Sequence, residues 1–208
     1  AGPDGIIALD ARVLLHDANT PADKLPKPAI RPYPTKYFAE WRLQDGTPVV
    51  IRPIRPEDEP MLVKFHETLS DRSVYLRYLH TMKLSQRVSH ERLTRICFID
   101  YDREMALVVE KADRKTNQRE IIAVGRLQKL HGTSDAELAV LVSDAWQGHG
   151  IGPELVARLT TVAQDEKVER IKADVLADNT VMQRILSKKG FKLHREIGDP
   201  TIAAELVL

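Results

Sequence analysis

The chain has 208 residues, 43% of them hydrophobic and 29% charged, with Lys+Arg 31 against Asp+Glu 30 and a formal net charge of +1. That is one ordinary domain with some chain left over, or two very small domains. The composition excludes a disordered chain, and the balanced charge supplies no basic field for nucleic acid or anionic lipid. The longest apolar runs, such as Ile6–Leu9 and Ala139–Val142, are too short for a membrane span or a signal peptide, so no membrane partner is expected. A single cysteine, Cys97, excludes an internal disulfide and a Cys-based zinc site, and it fits a reducing, cytoplasmic setting. The seven histidines lack metal-ligand spacing, so no metal is expected.

The first 39 residues hold six of the twelve prolines. Within them Ile6–Leu15 predicts a strand and Leu25–Pro34 an extended, polyproline-like tether. A lone strand cannot bury both faces. Residues 1–39 are therefore read as the end of a preceding domain plus its linker, and residues 40–208 as the main domain. Trimming the chain to about Glu40 should then be tolerated. The chain starts at Ala1 without Met, which suggests a piece of something longer.

Val49–Ile51 follows an Asp45-Gly46 turn and predicts a strand. Pro56–Glu59 opens a helix with proline and acids in its first turn, where they suit the helix dipole. Ser70 and Ser89 are candidate N-caps of two further helices that run through Tyr75–Tyr78 and Leu93–Cys97. Met105–Val109 and Ile121–Leu127 predict strands joined by the polar turn Lys111–Arg119, and Ala136–Val142 is the most apolar strand of the chain. Ile151, Leu155, Leu159, Val162 and Ala163 then share one face of a helix. Ile171, Ala173 and Val175 alternate as in a strand. Asp178-Asn179 caps a helix that stops at Gly190, and Phe191–Glu196 and Ile202–Leu208 close the chain as strands. This order implies an α/β domain with one mostly antiparallel sheet flanked by helices.

The stretch Gln147-Gly148-His149-Gly150-Ile151-Gly152 lies between the apolar strand and a helix and holds three of the ten glycines. Glycine allows positive φ and close backbone approach, so successive N–H groups can converge on a phosphate at the positive end of the helix. The stretch lacks the Gly-Lys-Ser/Thr ending of a P-loop and the third glycine of a Rossmann fingerprint. A plain glycine-rich turn is the alternative.

Gln147-x-x-Gly150-x-Gly152 after an apolar strand resembles the acetyl-CoA-binding loop of the GNAT N-acetyltransferases, and Asn179 with Gly190-Phe191 resembles the element that closes their domain. Ile99–Val108 and Asp135–Val142 are similar to the acetyltransferase domain of the large bacterial protein lysine acetyltransferases. There that domain follows an acyl-CoA-synthetase-like region, whose end Ala8–Arg12 resembles. The resemblance implies the GNAT fold, with a sheet splayed at its centre, and acetyl-CoA as cosubstrate. The amides of Gln147, Gly148, His149, Gly150, Ile151 and Gly152 would hold the pyrophosphate. Backbone of Val140, Leu141 and Val142 would pair with the pantetheine arm, and Asn179 would lie near it. Glu137 would be the general base.

Amide formation needs a neutral amine, and only about one free lysine in 2,500 is neutral at pH 7. A base beside the thioester is therefore worth about 10²–10⁴-fold. An ordinary solvated carboxylate is the other reading of Glu137. Many relatives carry a tyrosine seven residues after the asparagine as acid for the leaving thiolate; Leu186 stands there in this chain. Leu93, Ile96 and Cys97 share helical spacing, so a buried core cysteine is expected at 97, with an acyl-carrying nucleophile as the alternative. Tyr75, Arg77 and Tyr78 share a helix that borders the acceptor groove in this fold, or serve as packing and surface. The expectation is a lysine N-acetyltransferase acting on protein substrates, with acetyl-CoA synthetase the first candidate. A small-amine acetyltransferase and an acyl-CoA-sensing module are the alternatives.

Overall fold

The computed structural model describes residues 13, 15–21, 24–25, 30–112, 118–195 and 198–208. Apart from Val13 and Leu15, the strand expected at Ile6–Leu15 falls outside them, as do residues 26–29 of the tether. Residues Ala1–Arg31 form one compact unit and Pro32–Leu208 another.

Eight strands of the second unit form one sheet: β1 (Ala39–Arg42), β2 (Pro48–Pro53), β3 (Glu104–Ala112), β4 (Arg119–Lys129), β5 (Asp135–Val142), β6 (Arg170–Leu176), β7 (Lys192–His194) and β8 (Thr201–Val207). Their spatial order is β1-β2-β3-β4-β5-β6-β8-β7. Only β5 and β6 run parallel, joined by the crossover helix α5 (Ile151–Asp165). Both faces of the sheet are covered, which is why β3 reads as the unbroken apolar run Met105–Val109 rather than as an alternation. Leu107 and Val109 meet α5 through Leu155 and Leu159, while Ala106 and Val108 meet Leu62, Phe65 and Leu93 on the opposite face. Those three belong to α1 (Glu59–Glu67) and α4 (His90–Cys97), which together with α2 (Asp71–Tyr78) and the short α3 (Leu84–Arg87) cover that side. α6 (Thr180–Lys188) buries Leu186 on the α5 side.

Three details depart from the sequence reading. β1 and α3 were not expected, and Pro56 opens a single 3₁₀ turn, Pro56–Asp58, ahead of α1. β1 has only four residues, with alternating burial, and exists through its pairing with β2 across the Asp45-Gly46 turn. Contacts also cross the boundary expected at Glu40. Tyr33 Oη donates to Pro53 O at 2.8 Å, Lys36 Nζ to Asp165 Oδ2 at 2.8 Å and Tyr37 Oη to the same oxygen at 3.0 Å. The compact unit accordingly begins ahead of Glu40.

An ion-paired cluster of charged side chains lies in the interior. Arg52 of β2 donates to both oxygens of Asp58 at 2.7 Å and, through Nη2, to Glu110 Oε2 at 2.7 Å. All three are buried. With every partner present the desolvation cost is offset; removing one strands a buried charge, which costs about 3–5 kcal/mol. Among the described residues no helix is long and apolar enough to cross a membrane.

Candidate active site

β5 pairs with β4 along its whole length, from Lys129↔Ala136 to Ala123↔Val142. On its other side it pairs with β6 only at Asp135↔Arg170, Ala136↔Ile171 and Glu137↔Lys172. Beyond Glu137 the two strands diverge, and β6 continues with β8. The alternation along β5 fixes which backbone groups face the gap. Asp135 O accepts from Leu130 N and Ser143 N donates to Ile122 O, so odd-numbered positions point to β4. Leu138, Val140 and Val142 therefore turn their N–H and C=O groups toward the gap. Leu141 does not, so the expected backbone pairing through Val140, Leu141 and Val142 rests on Val140 and its even-numbered neighbours.

The gap widens into a cleft of about 540 Å³. Glu137 to Val142 form one wall, and Ala173, Val175, Met182 and Ile185 the other. The glycine-rich loop closes one end, and α2 packs across both strands. The residues expected to hold the cofactor or act as base line this cleft, as do Arg77 and Tyr78, but Tyr75 does not, and nor does His149, whose Nδ1 lies 3.0 Å from the Gln147 carbonyl oxygen and whose ring lies 5.7 Å from that of Trp146. Gly148 and Gly150 adopt φ of +81° and +85°, the left-handed region that other residues avoid. Gly152 does not. It lies in the first turn of α5, where a Cβ would come 3.3 Å from Ile185 Cδ1, so its lack of a side chain lets α6 approach. Ile151 buries its side chain in the core, leaving only its backbone to the cleft. Asn179 Oδ1 accepts from Met182 N at 3.1 Å and caps α6.

The loop is bolted to α2. Asp144 accepts from Ser70 N at 2.8 Å, Ser70 Oγ at 2.6 Å and Ser73 Oγ at 2.8 Å. Gln147 Nε2 donates to Ser73 Oγ at 3.0 Å and to the Val142 carbonyl at 3.2 Å. Burial raises the Asp144 carboxyl, but the hydrogen bonds from Ser70 and Ser73 outweigh it and hold the group below the usual carboxylate range. Sequence reasoning missed Asp144, because its partners lie more than seventy positions away.

Side chains on β5 alternate as well. Glu137, Ala139 and Leu141 face α1 and α2, whereas Leu138, Val140 and Val142 face α5. Glu137 is exposed at the cleft. Arg77 of α2 shares that surface. Burial and the neighbouring Arg126 and Arg92 hold its guanidinium below the ordinary value, against the opposing pull of Tyr78 and Glu137. Behind it a small cavity of about 30 Å³ is lined by His66, Arg77, Tyr78 and Arg126 among apolar residues. Arg126 is paired with Glu104. Burial, reinforced by Arg87, Arg92 and Arg126, pushes His66 down to about 4, so it is neutral at pH 7. Cys97 is fully buried and its thiol is pushed up to about 12 by that burial, which removes it as a nucleophile and matches the core role expected.

Residues 49–192 match the sequence profile of the Acetyltransferase (GNAT) domain. The chain belongs to the GNAT acetyltransferase family. Acetyl-CoA is the donor of that family, and the splayed sheet is its fold. The GNAT domain of S. lividans PAT superposes with a TM-score of 0.74 at 29% identity, covering 85% of this chain and 99% of that one. An acetyltransferase of Pseudomonas aeruginosa is 28% identical over 159 residues, 76% of this chain and 83% of its own length. Acetyltransferase Pat of Mycolicibacterium smegmatis is 27% identical over 156 residues, and the match spans 74% of this chain but only 44% of that protein. Within this GNAT domain, β5 and the Gln147–Gly152 loop both fall inside the matched segment.

Proposed function

We propose that this domain transfers the acetyl group of acetyl-CoA to the ε-amino group of lysines on protein substrates, by direct attack in a ternary complex. The observation that carries the reading is the divergence of β5 from β6 immediately after Glu137. It frees backbone donors and acceptors at Leu138 and Val140 for an extended, amide-bearing arm. The paired φ-positive glycines at the cleft's end suit a pyrophosphate at the start of α5. Asn179 stands on the opposite wall, near the arm. Glu137 lies at the point where the arm's thioester would end, as the base that takes the proton from the attacking amine. The relation to Pat-type acetyltransferases favours a protein acceptor, acetyl-CoA synthetase first among the candidates, and a preceding acyl-CoA-synthetase-like domain in the full-length protein. The residues named need no metal ion for this chemistry. The setting we infer is the bacterial cytoplasm.

Two measurements test the reading. Acetyl-CoA at 100 times its Kd should stabilise the protein by about 2.7 kcal/mol, and calorimetry should find binding lost in Gly150→Val. That substitution forces a β-branched residue to φ +85° and sets its Cβ 3.1 Å from Gln44 Nε2. Mass spectrometry of candidate proteins after incubation with acetyl-CoA should then show acetyl-lysine. Acetylation of spermidine or free lysine in preference to any protein would shift the assignment to a small-amine acetyltransferase.

A further inference from the structure

Transfer of the acyl group leaves a thiolate on CoA, and a proton delivered as the C–S bond breaks lowers that barrier. The cleft offers few donors for this proton. Leu186 is fully buried in the core, and neither it nor the adjacent Ser187 lines the cleft. Ser73 Oγ is already committed to Asp144. The indole of Trp146 and the amide of Asn179 are far too weak as acids, and Arg77 does not give up its proton. Tyr78 remains. It is the last residue of α2, half-buried, and lines the cleft together with Glu137, Ala139 and Val140. Among the described residues no hydrogen bond engages its hydroxyl, and that oxygen is not sealed in the interior. Its ring is flanked by two guanidinium groups, Arg77 and Arg92, each 5.1 Å from the ring centroid. Such neighbours hold the ring by cation–π attraction.

We propose that Tyr78 is the catalytic acid of this site, its Oη–H protonating the CoA sulfur as the tetrahedral intermediate collapses. The inference rests on the acetyl-transfer reading above. The amine nitrogen forms its bond to the carbonyl carbon and loses a proton to Glu137. The C–S electron pair goes to sulfur, which takes the Tyr78 proton. Solvent returns a proton to the phenolate. α2 thus supplies the acid from across the gap between β5 and β6, and the base comes from β5.

Tyr78→Phe separates this role from a structural one, because it keeps the ring between the two arginines and deletes only the hydroxyl. With the acceptor found by mass spectrometry, the single-turnover rate should fall by about 100-fold, while the Kd for acetyl-CoA and the Tm stay unchanged. With acetyl-oxa(dethia)-CoA, whose oxygen leaving group is much more basic than a thiolate, the loss should be larger still. Equal single-turnover rates in wild type and variant, a loss carried by Kd instead, or a loss no greater with the oxygen ester would each overturn the assignment. Failure of the underlying reading looks different: the wild type itself would then release no CoA.

Discussion

Glu137 sits one residue before the point where β5 loses its second neighbour, with its side chain on the α2 face and its backbone still paired to Lys172. In the proposed reaction a carboxylate held this way would reach an amine arriving along α2 without disturbing the backbone that would carry the thioester. Glu137→Gln preserves that shape and removes only the proposed proton acceptor. Turnover should drop by about 100-fold or more at neutral pH with little change in acetyl-CoA affinity, and the gap should narrow as pH rises and solvent supplies the neutral amine. A second residue-scale prediction concerns stability. His66 takes up a proton near 6.5 in the unfolded chain but only near about 4 in the folded one. Between those values the unfolded state binds the proton first, so stability is full above pH 6.5 and falls as pH drops toward 4, by up to about 3 kcal/mol. His66→Leu should flatten urea-unfolding stability across that window, while a slope equal to wild type would remove His66 as its source. The loop was legible because its signal is local, three glycines within six residues, whereas Glu137 stood out from an ordinary strand carboxylate only through the family resemblance. The His66–arginine cluster was not legible, because α1, α3, α4 and β4 each contribute one member of it.

At the scale of elements, the divergence of β5 and β6 creates the cleft, and α2 spans it. The hold on α2 comes from outside itself: Ser70 accepts from Ser73 N as an ordinary N-cap, but Asp144 fixes Ser70 and Ser73 in turn. The glycine-rich loop and α2 are thereby one mechanical unit. Asp144→Ala should loosen the first turn of α2 by about 1 kcal/mol, lowering kcat/KM for a protein acceptor more than it weakens acetyl-CoA binding; steady-state kinetics beside calorimetry would measure both. Because hydrogen bonds depress the Asp144 carboxyl, its contribution is present above the ordinary carboxylate range and is lost as pH falls through the lowered value. The difference between variant and wild type should therefore shrink in acid. Long elements were readable, α5 and β6 from their period and β3 to β5 as apolar runs bounded by turns. β1 and α3 were not, since four residues carry too little pattern and owe their form to β2 and to α1 and α4.

For the molecule as a whole, element order was enough for a mostly antiparallel sheet flanked by helices and the family resemblance for its splay, but the limit of the domain was not visible in them. Proline content suggested a boundary near residue 40, because prolines at 32 and 34 continue the tether's pattern. The contacts that pull the boundary back come from the residues between and after those prolines. Tyr33 bonds to the end of β2, stacks edge-on against Tyr101 at 5.9 Å and lies 4.8 Å from the Arg55 guanidinium. Lys36 and Tyr37 meet at Asp165, the last residue of α5. The Lys36 pair is exposed, so screening leaves it worth about 0.5 kcal/mol at most. The Tyr33 contacts should contribute more, about 1–2 kcal/mol from the aromatic pair and the hydrogen bond together. A chain begun at Glu40 should therefore melt about 3–8 °C below one begun at Pro32. It should keep its acetyl-CoA affinity, since none of the three residues lines the cleft. Calorimetric melting of the two chains side by side decides this. Equal Tm values would show the segment 32–39 to be mere tether, and a parallel loss of acetyl-CoA binding would show that α5, released at Asp165, no longer presents its first turn to the cofactor.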